Sequence, residues 1–362
     1  TVNGLTVGKG ANAVATNTVL GDDALDAAVT GGSNIAVGKT ALGASTSGNR
    51  NVAVGEQAMG TGVNTGQKNI AIGYQAGLPI TSGVRNVIIG DEAGLAMTTG
   101  GTNTVVGTDA GKAIVTTGDN AIFGNEAGKV TTTTITAFGA FAGHDHVDGY
   151  SNTFIGRYAG RDVTNGHSST AVGHAALLTA TTAVTNTTVG TNSMRLTTTG
   201  SDNTAVGFEA MDKNTTGANN TAVGEGALFS NTTANDNTAV GRDSLGANTT
   251  GPSNTAVGRY AMATTTTGFE NVASGYKALY NNTTGETNTA VGTEALRDNQ
   301  TADNNTAVGK SALISNTTGG SNTAVGRSAG NNLTTGSSNV FVGVEAGDEQ
   351  TGSLHNTVIG AE

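Results

Sequence analysis

The chain has 362 residues, among them 56 Gly but only two Pro, with no Cys and no Trp; aromatic residues make up 4% and charged residues 12%. So few bulky side chains exclude the thick core that a globular enzyme of this length needs. The lack of Cys excludes disulfides, Cys-ligated metal centres and a thiol nucleophile. The balance of 17 basic against 27 acidic residues, net −10, argues against nucleic acid as a partner, and no apolar run approaches the roughly 18 residues of a membrane span.

From the first residues onward one short motif returns, clearest as Asn254-Thr255-Ala256-Val257-Gly258. The chain opens on Thr1 without a signal-peptide pattern, which reads as a processed chain or a piece of a longer one. The closing glycines begin at Gly8 and Gly21 and continue to Gly360. From Gly156 onward they recur every 17 residues, while earlier spacings include 13 (Gly8 to Gly21), 18 (Gly55 to Gly73) and 15 (Gly124 to Gly139). Seventeen residues are too few for a pair of helices, since helical repeats need roughly 30 or more. The fold class expected is therefore all-β: a parallel β-solenoid of 17-residue coils.

Within each coil, side chains alternate with period two along the strand. The residue before the closing glycine is Val, Ile, Leu or Phe in every coil but one, Ser274 being the exception. With the Thr, Val or Ile two places earlier, it is expected to fill the interior. Two before the glycine stands mostly Ala, with Ile88, Ile122, Phe154 and Phe341 among the larger substitutes. A strand apolar on both faces is buried on both, so this second face is expected to meet a neighbouring chain. Four before the glycine Asn is nearly invariant, as in Asn203, Asn220 and Asn237, and stacked amides of this kind form ladders. After the glycine come two turn residues, then Ala or Ser. The next position is either Leu or Met (Leu228, Met262) or Gly (Gly94, Gly160), and in the Gly form an apolar residue often follows three later (Met97, Val163). That exchange conserves core volume. Thr-Thr-Gly then closes many coils, its Gly expected to supply a positive φ.

Along the chain three segments are distinguished: a solenoid with an irregular start over residues 1–128, an irregular coil or insertion over 129–150, and a regular solenoid over 151–362. No linker separates them, so one continuous rod roughly 100 Å long is expected, at about 4.8 Å per coil. The open strand edges at its ends would seek flanking domains.

At the level of Asn-Thr-Ala-Val-Gly-x-x-Ala-Leu, the sequence resembles the head repeats of YadA-like trimeric autotransporter adhesins, and more closely the Thr-rich repeats of phage tail-fibre proteins. The resemblance covers essentially the whole chain. It implies a trimer of left-handed parallel β-rolls, and adhesion or receptor binding as its task. The longer unit and the lack of a coiled-coil stalk or membrane anchor point to a viral or secreted fibre. The family's binding surfaces are not held in one motif, so the resemblance carries over no site residues.

No catalytic constellation is present: five His and scattered carboxylates show no triad or pair, so neither an enzyme nor a cofactor is expected. Carboxylates such as Glu209, Asp243 and Glu294 fall in turns, a solvated face lacking the Asp-per-unit pattern of calcium-binding nonapeptides. The candidate metal ligands are His144 and His146, because a His-x-His pair repeated around a threefold axis offers six imidazoles; the plainer reading is an exposed loop. Asn-Thr-Thr triplets at Asn214, Asn231, Asn248 and Asn316 match the N-glycosylation pattern and are read as surface turns. The function expected is a structural and adhesive fibre segment: extracellular, on a virion tail fibre or cell-surface appendage, homotrimeric, continuous with flanking fibre domains, and bound to a host-cell receptor or glycan. Neither nucleic acid nor membrane insertion is expected. The alternative is a monomeric ice-binding or other surface-binding solenoid, and a fibre-borne glycan depolymerase is the third class.

Overall fold

The computed structural model describes residues 7–361, and among these there is no α-helix. The backbone divides into two compact units, Thr1–Thr182 and Ala183–Glu362. The first unit carries β1 (Val7–Gly8), β2 (Thr18–Leu20) and nine further strands, ending with β10 (Asn152–Ile155) and β11 (Thr170–Val172). The second runs from β12 (Thr187–Val189) through β13 (Thr204–Val206) and β14 (Thr221–Val223) to β22 (Thr357–Ile359).

Each unit is a parallel β-solenoid in which a strand pairs with its equivalent one coil away. In the second unit Thr204 faces Thr221, Ala205 faces Ala222 and Val206 faces Val223. Like thus stacks on like. The irregular spacings leave this register intact. β4 (Val52–Val54) pairs with β5 (Ile70–Ile72) across 18 residues, and β8 (Ala121–Phe123) with β9 (Ile135–Phe138) across 15. β9 also pairs in register with β10, so the strand ladder continues past the 129–150 segment. The exception is β1, which pairs antiparallel with β2.

The two strand faces lie opposite to the sequence expectation. Ala205, Ala222, Ala239 and Ala256 are fully buried within their own chain, as are Ile88, Ile122, Phe154 and Phe341 at the same position. The Val, Ile or Phe preceding the glycine points outward instead: Val206, Val257 and Val325 are 37–41% exposed. The neighbouring Thr column is likewise on the outer face, as at Thr255 in the exposed–buried–exposed β16 (Thr255–Val257). The cause is width. The interior must accommodate the inward Leu or Met that most coils carry, such as Leu228 or Met262, both fully buried; with those in place the strand side takes a small residue, almost always Ala, with Thr188 beside Met194 and Val19 beside Leu25 as the exceptions. Where a coil has Gly at that position, the room passes to the strand. A Cβ at Gly160 would run into the Phe154 ring, and one at Gly143 would lie 2.5 Å from the tip of Ile135. Core volume is therefore exchanged across the interior and between coils, as close packing requires. The Leu and Met form stores strain, since Leu228, Leu245 and Met262 sit at φ of 50–51°, a left-handed conformation that costs roughly 1–2 kcal/mol per residue.

Closing glycines are required twice over. Gly258 has φ +135°, and a Cβ there would come within 2.5 Å of the Gly275 carbonyl oxygen on the next coil. The Gly of Thr-Thr-Gly has a different role from the one expected. Gly217 is not among the positive-φ residues; a Cβ on it would approach the Ala234 carbonyl to 2.5 Å. Close stacking of coils, rather than a left-handed corner, selects small residues there, and Ala234 and Ala302 stand at the equivalent place in their coils.

Buried Asn builds two ladders. In the first, the backbone N–H of Asn288 donates to Asn271 Oδ1 at 2.9 Å, and Asn288 Nδ2 donates to Asn271 Oδ1 at 3.1 Å and to the Ala302 carbonyl at 2.8 Å. The pattern repeats from coil to coil, satisfying backbone groups at the corner where the ladder of strand bonds begins. The second ladder is formed by the Asn of the Asn-Thr-Thr triplets. Asn231 Nδ2 donates to Asn214 Oδ1 at 2.9 Å and Asn248 Nδ2 to Asn231 Oδ1 at 3.2 Å. Each also bonds the carbonyl three residues on, as Asn248 does at Gly251. These residues are fully buried, so the triplets are structural and not surface glycosylation acceptors.

Candidate functional site

The turn that carries the candidate metal ligands lies in the first unit, and it sends the two histidines in opposite directions. His146 takes the core position that Met97, Ile114 and Val163 fill in neighbouring coils, and it is fully buried. Asn152 Nδ2 donates to His146 Nε2 at 2.9 Å. With Nε2 accepting, the proton sits on Nδ1 and is donated to Thr131 Oγ1 at 3.1 Å; Thr131 in turn donates to the Thr133 carbonyl. The orientation of the Asn152 amide follows from its other bonds, since its Oδ1 accepts from the Ser169 N–H. Burial pushes the His146 imidazole down to about 4, against a smaller opposing pull from Asp148. It is a neutral core histidine with both nitrogens engaged.

His144 lies on the outside, with Nε2 3.2 Å from Glu126 and Nδ1 2.5 Å from Asp145. It ends a run of alternating charge on the turns. Lys112 bridges Glu92 and Asp109, and Lys129 bridges Asp109 at 3.3 Å and Glu126 at 2.9 Å. The Lys129 ammonium holds the Glu126 carboxyl below its usual range, and Glu126 raises Lys129 in return. Such exposed pairs contribute little each; their effect is to pin neighbouring turns together. The two histidines therefore do not converge, and among the described residues no group of three or more His, Asp or Glu is placed to hold a metal. The turn carboxylates fare similarly: Glu294 sits 3.7 Å from Arg297, and Asp243 3.3 Å from Arg242.

What the sequence reading missed is the outer strand face. In each unit it presents, in most coils, one Thr or Val and one Val, Ile or Phe, in register, as at Thr289 and Val291 or Thr306 and Val308. Phe123 and Phe138 stack on this face with ring centroids 4.5 Å apart. The signal was present in the chain: Asn and Ala, two residues apart, must share one side of the strand, and an Asn ladder is stable only away from water.

No protein-family model, curated protein or solved structure matches this chain. Among the described residues no helix is long and apolar enough to cross a membrane.

Proposed function

We propose that the chain is a structural and adhesive segment of a homotrimeric fibre, of the kind carried on a phage tail or a cell surface, which displays a surface for a host receptor or glycan. The observation that supports this reading is the outward Val column. In the second unit Val206, Val223, Val257, Val291, Val308 and Val325 are 37–41% exposed, where a strand's solvent face ordinarily carries Thr, Ser, Lys and Glu. In each unit the column forms an apolar stripe, interrupted in the second only at Ser274 among the described residues, the kind of surface that marks an interaction site. A second copy of the same chain offers an equivalent stripe with the same spacing of about 4.8 Å. Three copies would cover all three stripes, and joining three chains multiplies weak surface contacts into avidity. The resemblance to trimeric fibre repeats points the same way.

Light scattering on the purified chain tests the reading. A mass near three chains is expected. Replacing Val223, Val257 and Val291 together by Lys is expected to yield single chains with unchanged β-sheet circular dichroism. A wild-type chain that stays monomeric refutes the trimer. The regular outward Thr–Val array then favours the second reading, a monomeric solenoid that binds ice or another ordered surface, and thermal hysteresis tests it directly.

A further inference from the structure

In the second unit the turn side of the solenoid is interrupted by a cleft of about 450 Å³, within the range of small-molecule sites. It spans successive coils and is built by one chain. Five residues after the closing glycine most coils carry a large side chain, such as Asp212, Phe229, Tyr280 and Arg297. In the two middle coils that position is Gly246 and Ala263, and with Ala247 they form the floor. Phe229 and Tyr280, three coils apart and so separated by roughly 14 Å, stand as the end walls. Tyr260 rises between them, edge-on to Tyr280 with centroids 6.3 Å apart and an interplanar angle of 84°. Carboxylates line the near side: Glu209, Glu225 and Asp243. Gly226, at φ +65°, stands where the other coils of this stretch bear a side chain, and a Cβ there would meet Asp243 Oδ1 at 2.6 Å. Its absence lets that carboxylate lean over the floor.

We infer that this cleft binds a neutral saccharide. Half-buried aromatic rings offer flat apolar faces for the C–H side of a pyranose, and carboxylates are acceptors able to take two hydroxyl hydrogens at once. The charge pattern decides against an ionic ligand. Lys213 lies over the Phe229 ring at 4.6 Å, Arg259 over Tyr260 at 4.6 Å and Lys277 near Tyr280 at 5.3 Å. Arg242 pairs with Glu225 and Asp243. A cation already lies over one face of each of these rings and Arg242 holds two of the three carboxylates, so neither a cationic nor an anionic ligand gains from net charge. Hydroxyls and an apolar ring face are what the lining can still recognise. For its biological use the inference rests on the surface-binding reading above, but the cleft itself requires no second chain.

Saturation-transfer NMR on the intact chain tests it, with maltotriose, cellotriose, chitotriose and β-1,4-galactotriose as probes and tetramethylammonium and sulfate as ionic controls. At least one trisaccharide is expected to receive saturation, with neither ion competing. Tyr260→Ala is expected to reduce the signal at least tenfold. Gly246→Leu should do the same by filling the floor, since its Cβ would meet only ordinary contacts, the nearest at 3.4 Å, and its φ is not positive. Transfer to none of the four sugars overturns the inference, as does transfer that survives both substitutions or binding of an ion alone. Light scattering on the same samples separates the two proposals: a trimer without saccharide binding removes the cleft and leaves the fibre, and a monomer that binds sugar does the reverse.

Discussion

The second Asn ladder is broken at one coil, where repair should stabilise the protein. Asn214, Asn231 and Asn248 form one run and Asn282, Asn299 and Asn316 another. Between them the equivalent position is Thr265, fully buried. Thr265 Oγ1 and Asn248 Oδ1 both lack a hydrogen-bond partner. Replacing Thr265 by Asn would let its Nδ2 donate to Asn248 Oδ1, as Asn231 does to Asn214, and to the carbonyl of Gly268, as Asn248 does to that of Gly251. Its Oδ1 would accept from Asn282 Nδ2, which now donates to the Gly285 carbonyl. A buried polar atom left unpaired costs ~1–3 kcal/mol and a made bond contributes ~1 kcal/mol; less the ordering of one side chain, the gain should be about 2 kcal/mol. Because stacked repeats open locally, the assay is hydrogen exchange of the Asn248 and Asn282 backbone amides, which donate to Leu245 and Leu279. Both should slow by about 30-fold, as 1.4 kcal/mol is tenfold. Thr265→Val is the control, since it removes the unpaired hydroxyl without joining the ladder. If the Asn variant protects these amides no better than Val, ladder continuity contributes nothing and the reasoning fails.

The exchange of core volume between coils predicts a compensating pair. Phe154→Ala alone should cost about 3–5 kcal/mol through the cavity it leaves, and Gly160→Leu alone should be similarly harmful, because its side chain meets the Phe154 ring. The double variant recreates the Ala-with-Leu arrangement of other coils and should melt above both singles; additive losses in thermal unfolding would refute the exchange. His146 predicts an acid-sensitive core. Its folded value near 4 lies below the ordinary 6.5, so the unfolded chain binds the extra proton. Stability should be full above pH 6.5 and decline as the pH falls towards 4, by up to about 3 kcal/mol at 1.36 kcal/mol per unit. Urea midpoints measured across that window should flatten in His146→Leu, and an unchanged slope would contradict a neutral buried imidazole.

Much of this fold was legible in the chain because a solenoid repeats its physics in every coil. The closing glycines mark the strand ends, the Asn column announces a ladder, and the Leu-or-Gly alternation shows one core site being refilled. The faces of the strand were read in reverse because apolarity was taken as a measure of burial. Val and Thr favour strands through their stiff, branched side chains whichever way they point, whereas Ala at 205, 222 and 239 is dictated by the narrow gap opposite Met211, Leu228 and Leu245. The larger strand residues show this, since Ile88, Phe154 and Phe341 occur beside coils with Gly77, Gly94, Gly143, Gly160, Gly330 and Gly347. His144 and His146 were read as a pair because a His-x-His motif repeated around a threefold axis offers six imidazoles. Within one chain the turn separates them, His146 entering the core and His144 facing Glu126 and Asp145. The aromatic cleft was invisible because its walls come from different turn positions in coils that only stacking brings together.

The in-register pairing of equivalent residues has a consequence for how such a chain changes over generations. Excising residues 289–305, a coil outside the cleft, would join Asn288 to Thr306, and both Asn ladders would close on a partner identical to the one removed. Whole coils can thus be gained or lost by recombination between near-identical stretches of coding sequence. Each such event alters the reach of a stack by one strand spacing, about 4.8 Å, without creating a new interface inside it. Length is then a quantity that selection can adjust in fixed steps, while the order of the coils, and with it the place of any one recognition patch, stays as it was.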